Sequence, residues 1–168
     1  MLSLIPKRIV PSVCDLTPEY LADEGVDVLL LDFDNTIVPY TCDEPTEAVL
    51  SWLRSVQRAG VTLCVVSNTR RRRAPAFCEK YGIPCITHAA KPFQRGIRKA
   101  KELYPHAKKI ALAGDQIYTD VLGANTGGLL SVLVRPIHLH NFWLRLRHWA
   151  ELPWIGIGLL LQKKRGKC

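Results

Sequence analysis

The chain contains no Cys-x-x-Cys pair; its six cysteines (Cys14, Cys42, Cys64, Cys78, Cys85 and Cys168) are scattered. That spacing suits reduced thiols in a cytoplasmic protein better than a disulfide frame or a zinc site. Long apolar runs are missing too. The longest, Leu152–Leu161, includes Pro153 and two glycines, and it falls well short of the about 20 apolar residues that span a bilayer. The opening MLSLIPKRIVPSV is short and prolyl, unlike a secretory or transit peptide. Neither an internal repeat nor a low-complexity linker interrupts the 168 residues, a length that suits one domain with a real core. No groove-reading motif or stacking array is present, so no nucleic-acid partner is expected. His138 and His140 have no third soft ligand at a suitable spacing, which argues against a zinc-type centre.

Charge is present but uneven. The net +8 divides into −6 over residues 1–69, +10 over 70–109 and +4 over 110–168. A basic block following an acidic start suits an anionic partner, such as a phosphate ester or an anionic membrane face. It also fits an ordinary solvated surface.

The order of elements is legible from periodicity and punctuation. Thr17-Pro18-Glu19 reads as the cap and first turn of a short helix that Gly25 ends. Val26–Leu31 and Val61–Val66 are apolar runs typical of strands buried on both faces. Between them, Ala48, Val49, Trp52, Leu53 and Val56 recur at helical spacing before Gly60. Further helices are predicted near Ala74–Tyr81, Pro92–Tyr104 and Tyr118–Asn125, with strands near Pro84–Thr87, Lys109–Ala113 and Leu129–Val134. Alternating strands and helices predict an α/β fold with a parallel sheet covered on both sides.

Ligands of such sheets bind beyond the carboxyl ends of the strands, and polar groups gather there. The first strand runs into Asp32-Phe33-Asp34-Asn35-Thr36, the second into Ser67-Asn68, the third towards Lys91-Pro92, and the fourth into Gly114-Asp115, with Asp120 five residues on. Residues i and i+2 of a strand share a side, so Asp32 and Asp34 can reach one pocket while Phe33 faces away. Two carboxylates so close repel unless a cation joins them. Mg²⁺ takes hard oxygen ligands and is often held by one or two carboxylates plus a substrate phosphate; Asp115 could supply a further one. A metal there would screen the attack of a carboxylate on an anionic phosphate. Ser67 can donate to a phosphoryl oxygen and Lys91 can neutralise it, while the amides of Asn35 and Thr36 could form an anion-binding nest. Asp34 would act as general acid and base, completing phosphoryl transfer to a carboxylate nucleophile.

The series DFDNT, SN, KP and GDQIYTD resembles, in order and approximate spacing, the four motifs of the haloacid dehalogenase (HAD) superfamily. The phrasing DFDNTIVPY, VVSNT and GDQIYTDVLGANTGG is similar to the YqeG-type branch, subclass IIIA, whose mitochondrial relatives are phosphatidylglycerophosphate phosphatases. Thr69 is a departure, standing where many members carry a second asparagine. The resemblance implies a HAD-like Rossmannoid three-layer fold over roughly residues 26–135. It implies Asp32 as nucleophile, Asp34 as acid/base, and Mg²⁺ held by the Asp32 side chain, the Asp34 main-chain carbonyl and Asp115. Ser67 and Lys91 would bind phosphate, Asp120 would orient Lys91 or a water on the metal, and Asn68 would contact phosphate or shape its loop.

Only Ile37–Glu44 separates the first motif from the next helix, and Ser67 to Lys91 leaves room for one helix and a short strand. No large cap domain is therefore expected, although a lid from a second subunit would leave the same sequence and a homo-oligomer stays open. Residues 1–135 are read as the phosphatase domain with an N-terminal helical leader, and 136–168 as an amphipathic, basic extension. Arg70–Arg73 follows the second motif directly, and Arg70 is a candidate for a second phosphate or a lipid headgroup. Phe142, Trp143, Trp149 and Trp154 stand among Arg145, Arg147 and Lys163-Lys164-Arg165, a mixture suited to a membrane interface or to packing on the domain. The expectation is a cytoplasmic enzyme, peripheral at the inner membrane face, that dephosphorylates phosphatidylglycerophosphate. A phosphatase for a soluble ester or a phosphoprotein, and a phosphate-binding module without turnover, are the rival readings.

Overall fold

A computed structural model describes residues 3–69, 71–139 and 142–165. Twelve regular elements order the described chain: β1 (Arg8–Val10), α1 (Pro18–Asp23), β2 (Val28–Leu31), α2 (Glu47–Arg58), β3 (Thr62–Val66), α3 (Arg73–Tyr81), β4 (Cys85–Ile86), α4 (Arg95–Leu103), β5 (Ile110–Gly114), α5 (Leu122–Thr126), β6 (Leu130–Val134) and α6 (Phe142–Arg165). A 3₁₀ turn at Val13–Asp15 and a π-helical turn at Ile117–Val121 complete them. The six strands form one parallel sheet in the order β1-β6-β5-β2-β3-β4. This is the HAD-like, Rossmann-type α/β architecture.

Alternation along the strands builds two cores. Leu29 and Leu31 of β2, Leu63 and Val65 of β3, and Ala111 and Ala113 of β5 face one layer, where they meet Leu21 of α1, Trp52 and Val56 of α2 and Phe77 of α3. Val28 and Leu30, Cys64 and Val66, and Ile110 and Leu112 face the other, against Ile97 and Ala100 of α4 and Ala124 of α5. Truncating one such side chain to alanine costs about 2–5 kcal/mol, so the core fixes the level at which each strand emerges.

Local chemistry sets the helix ends. Thr17 caps α1 by accepting from the Tyr20 amide, with Pro18 in the first turn. Thr46 likewise caps α2 through the Val49 amide. Gly82 closes α3 at φ 64°, a left-handed conformation that suits glycine.

Two parts of the chain differ from the sequence reading. The prolyl leader carries β1, which pairs in parallel with β6 (Arg8↔Val132, Val10↔Val134), so an edge strand stands where only a helical leader was expected. The C-terminal segment is one helix from Phe142 to Arg165 despite Pro153 within it. It packs back on the domain: Gln162 bonds both the amide and the carbonyl of Ile9, at 2.8 and 3.3 Å. Among the described residues, no helix is long and apolar enough to cross a membrane.

Candidate active site

The chain builds outward from β2 in both directions, to β3 and β4 on one side and to β5 and β6 on the other. The carboxyl end of β2 is therefore the point where the crossovers diverge, the usual ligand position in an open α/β sheet. Register aligns the emerging residues, with Leu31 opposite both Val65 and Ala113. The Asp32 amide donates to the Ala113 carbonyl at 2.8 Å, which holds the end of β2 beside the segment that delivers Asp115.

Asp32, Asp115 and Asp120 are brought together in a buried cluster, with one carboxylate oxygen from each within 4.8 Å of the others. Lys91 is buried with them. Its Nζ lies 2.7 Å from Asp32 Oδ1 and 2.7 Å from Asp120 Oδ1. Three carboxylates against one ammonium leave the pocket short of positive charge. Burial, with the charges of Asp120 and Asp34, pushes the Asp32 carboxyl up to about 7 although Lys91 opposes the rise. Burial with the charges of Asp32 and Asp120 pushes Asp115 up to about 8. Burial works against the Lys91 charge, but Asp120 and Asp32 outweigh it and hold the ammonium above its ordinary value.

The donor set is hard oxygen throughout. Asp115 meets the Gln116 and Asn35 amides only at 3.3 and 3.4 Å, and Arg147 at 3.6 Å. A carboxylate held at such distances retains lone pairs for a cation, so Asp32, Asp115 and Asp120 could hold a divalent metal ion.

Asp120 reaches the cluster because Gly114 lets it. A Cβ at Gly114 would collide with the Asp120 carboxyl carbon. The Asp120 carboxylate also accepts from the Gln116 amide at 3.1 Å, which tightens the π-helical turn that carries it.

Asp34 takes a different route. It lies close enough for its charge to act on Asp32, but its carboxylate turns to Arg73, whose Nη1 donates to Asp34 Oδ1 at 2.8 Å. Burial raises the Asp34 pKa against the pull of Arg73, Arg71 and Lys91. The side-chain cluster is therefore Asp32–Asp115–Asp120, and the Asp34 carboxylate is not part of it.

The two asparagines hold backbone. Asn68 Nδ2 donates to the Lys91 carbonyl at 2.9 Å and its Oδ1 accepts the Lys91 amide at 2.7 Å, a two-point clamp on the lysine's own peptide. Asn35, at φ 65°, uses its amide in the same way on His138, donating to the carbonyl at 3.0 Å and accepting from the amide at 2.9 Å. The expected nest is not formed by this loop: the Asn35 amide donates to the Val38 carbonyl at 2.7 Å and the Thr36 amide to the Phe33 carbonyl at 3.4 Å. Thr36 Oγ1 is buried without a partner among the described residues. Ser67 is buried, and its Oγ accepts from the Thr69 amide at 3.1 Å, which leaves its hydroxyl proton available. Arg70 lies outside the described residues.

Four further residues contribute in ways that the sequence reading does not assign. Arg73 ties the loop after β2 together, bonding Asp43 at 2.5 Å, the Pro39 carbonyl at 2.9 Å and the Cys42 carbonyl. Tyr40, on that loop, is half-buried, and burial plus the charges of Asp115, Asp32 and Asp34 raise its phenol. From α6, Arg147 approaches Asp115, and buried Glu151 accepts the Ile117 amide at 3.0 Å. The arginine run was a signal for Arg73. Nothing local announces Arg147 or Glu151, which reach the site only because α6 folds back.

The sequence also matches known proteins. The family model for Mitochondrial PGP phosphatase matches residues 2–137. The chain is 32% identical over 134 residues to the "Probable phosphatase YqeG" of Bacillus subtilis (strain 168), covering 79% of this chain and 78% of that one. No solved structure matches.

Proposed function

We propose, from the premise that this chain belongs to the Mitochondrial PGP phosphatase family and is a phosphatase, that it is a Mg²⁺-dependent phosphomonoesterase with Asp32 as nucleophile. The observation that carries this reading is the buried Asp32 carboxylate, bonded to Lys91 and gathered with Asp115 and Asp120 at the end of β2. Mg²⁺ would be held by the Asp32 and Asp115 side chains and the Asp34 main-chain carbonyl, with Asp120 of the same cluster engaged by Lys91, and would supply charge that offsets repulsion between the carboxylate and the phosphate.

The chain's own groups account for the rest. Asp32 attacks phosphorus, the ester P–O bond breaks and an aspartyl phosphate forms. Asp34 gives a proton to the departing alcohol oxygen, a task helped by its raised pKa. It then takes a proton from the water that attacks the aspartyl phosphate, releasing inorganic phosphate and restoring Asp32. Lys91, kept charged by two carboxylates, neutralises the transferring group, and the Ser67 hydroxyl donates to one of its oxygens. Asp120 fixes Lys91, while Asn68 and Asn35 hold the loops that carry Lys91 and border Asp115.

For substrate, phosphatidylglycerophosphate is the better reading. Its family's printed name supports it, and so does the outer side of α6, along which Phe142, Trp143, Trp149 and Leu160 are exposed. Lys163 and Lys164 follow that face, an arrangement that suits an anionic lipid surface. The protein would then work in the cytoplasm, peripheral at the inner membrane face. Purified protein with Mg²⁺ should release phosphate from this lipid, and Asp32→Asn should abolish release by about 10⁴-fold or more, the scale for losing a covalent nucleophile. Much faster turnover of a sugar phosphate or phosphoprotein would give the site to a soluble substrate. A purified wild type inert on every ester would leave a binding module.

A further inference from the structure

A cleft of about 270 Å³ opens beside the carboxylate cluster, between α6 and the sheet edge formed by β1 and β6. Asp115, Arg135, His148 and Glu151 are its polar lining, and apolar residues, Ile9, Leu133, Leu152, Ile155 and Leu159 among them, supply most of the rest. Asp115 thus belongs to both the cleft and the cluster. From Glu151 to Leu159 the helix rises about 12 Å, so the apolar walls extend away from the phosphate chemistry. The cavity is several times the about 30 Å³ share of one water, and its apolar walls, away from those four residues, offer nothing to hold water.

Arg147 lies 3.6 Å from Oδ2 of Asp115, the residue that the cleft and the cluster share. Its Nε is buried without an acceptor among the described residues. A buried guanidinium nitrogen left so is costly, and an anionic oxygen would satisfy it.

We propose that this cleft is an acyl-chain subsite: it takes one chain of a monomeric glycerophospholipid whose terminal phosphate lies at Asp32 and whose internal phosphodiester faces Arg147. The inference rests on the lipid-phosphatase reading and deepens it. Monoester, diester and acyl chain follow one another along the molecule as the cluster, Arg147 and the apolar walls do along the protein. This continuity and the matching charge select a lipid over a helix or a second copy of the chain. Membrane docking by the outer face of α6 is a separate event, because the cleft lies under its inner face.

The test uses dihexanoyl phosphatidylglycerophosphate below its micelle concentration, where no surface exists to dock on. It is compared with the deacylated glycerophosphoglycerophosphate. The full-length wild type should show kcat/KM at least tenfold higher for the acylated monomer. Leu152→Trp/Leu159→Trp, which fills the cleft from two half-exposed positions, should erase that preference while turnover of the deacylated ester stays within twofold. That turnover also reports whether the variant folds. Equal kcat/KM in the wild type, or a preference that survives the double substitution, overturns the cleft and leaves the phosphatase reading standing. A wild type inert on both esters but active on a sugar phosphate removes the lipid reading and this inference with it.

Discussion

At the carboxyl end of the sheet, Asp32, Lys91, Asp115 and Asp120 are no more than 6% exposed, whereas on α6 Phe142, Trp143 and Trp149 are each at least 70% exposed. The two regions invert the ordinary distribution in opposite senses, with charge inside one and large apolar groups outside the other. Each costs free energy in the isolated chain, and each names what would relieve it. A hard cation answers three crowded carboxylates. An apolar, anionic surface answers a helix face of aromatics and leucines that ends in lysines.

Breaking the first region should have the larger effect. In Lys91→Met the cation between Asp32 and Asp120 is lost, and removing one partner of a buried ion pair costs about 3–5 kcal/mol. Denaturant melts should show that loss. An unchanged midpoint would mean that the ammonium does not hold the cluster together.

The pH response sharpens the same point. Asp32 and Asp115 are raised to about 7 and about 8 from an ordinary 3.8. The folded state therefore holds protons that the unfolded state has released. Their contribution is present below about pH 4 and is lost as pH rises towards 8. The metal-free protein should melt at progressively lower temperature across that window, and Mg²⁺ should raise Tm more at pH 8 than at pH 5. A Mg²⁺ increment that does not grow with pH would separate the cluster from metal binding.

The second region should give the smallest effect in solution. Leu160 is 66% exposed, so Leu160→Glu should leave stability within about 0.5 kcal/mol. Binding to vesicles containing phosphatidylglycerol should nevertheless weaken about tenfold, since loss of apolar burial and gained repulsion both act there. Flotation that is indifferent to this substitution would move the lipid contact away from α6.

The same two regions differ in how much of them was legible. Asp32, Asp115 and Lys91 each follow an apolar run or a turn that local pattern identifies, and parallel register then brings strand ends to one level. Asp34 was legible as a neighbour of Asp32 but not as Arg73's partner, because that contact depends on how the loop after β2 closes over α3. β1 was not legible: three residues, one of them Arg8, carry almost no pattern, and they become a strand by pairing with Val132–Val134. In α6, Pro153, Gly156 and Gly158 argue locally against a helix. Packing overrides them. Gly158 lies so close to Ile9 and Pro6 that a Cβ there would sit 2.9 and 3.0 Å from their side chains.

By itself, the sequence determined the α/β alternation and the placing of carboxylates and lysine at strand ends, because periodicity and strand parity are local properties of the chain. Only the tertiary structure decided that Asp120 and not the Asp34 side chain joins Asp32 and Asp115, and that Asn35 and Asn68 grip backbone. It also brought Arg147 and Glu151 home. Those outcomes depend on which distant segments share a few ångströms of space, and packing of the whole core, not the residues nearby, sets that distance.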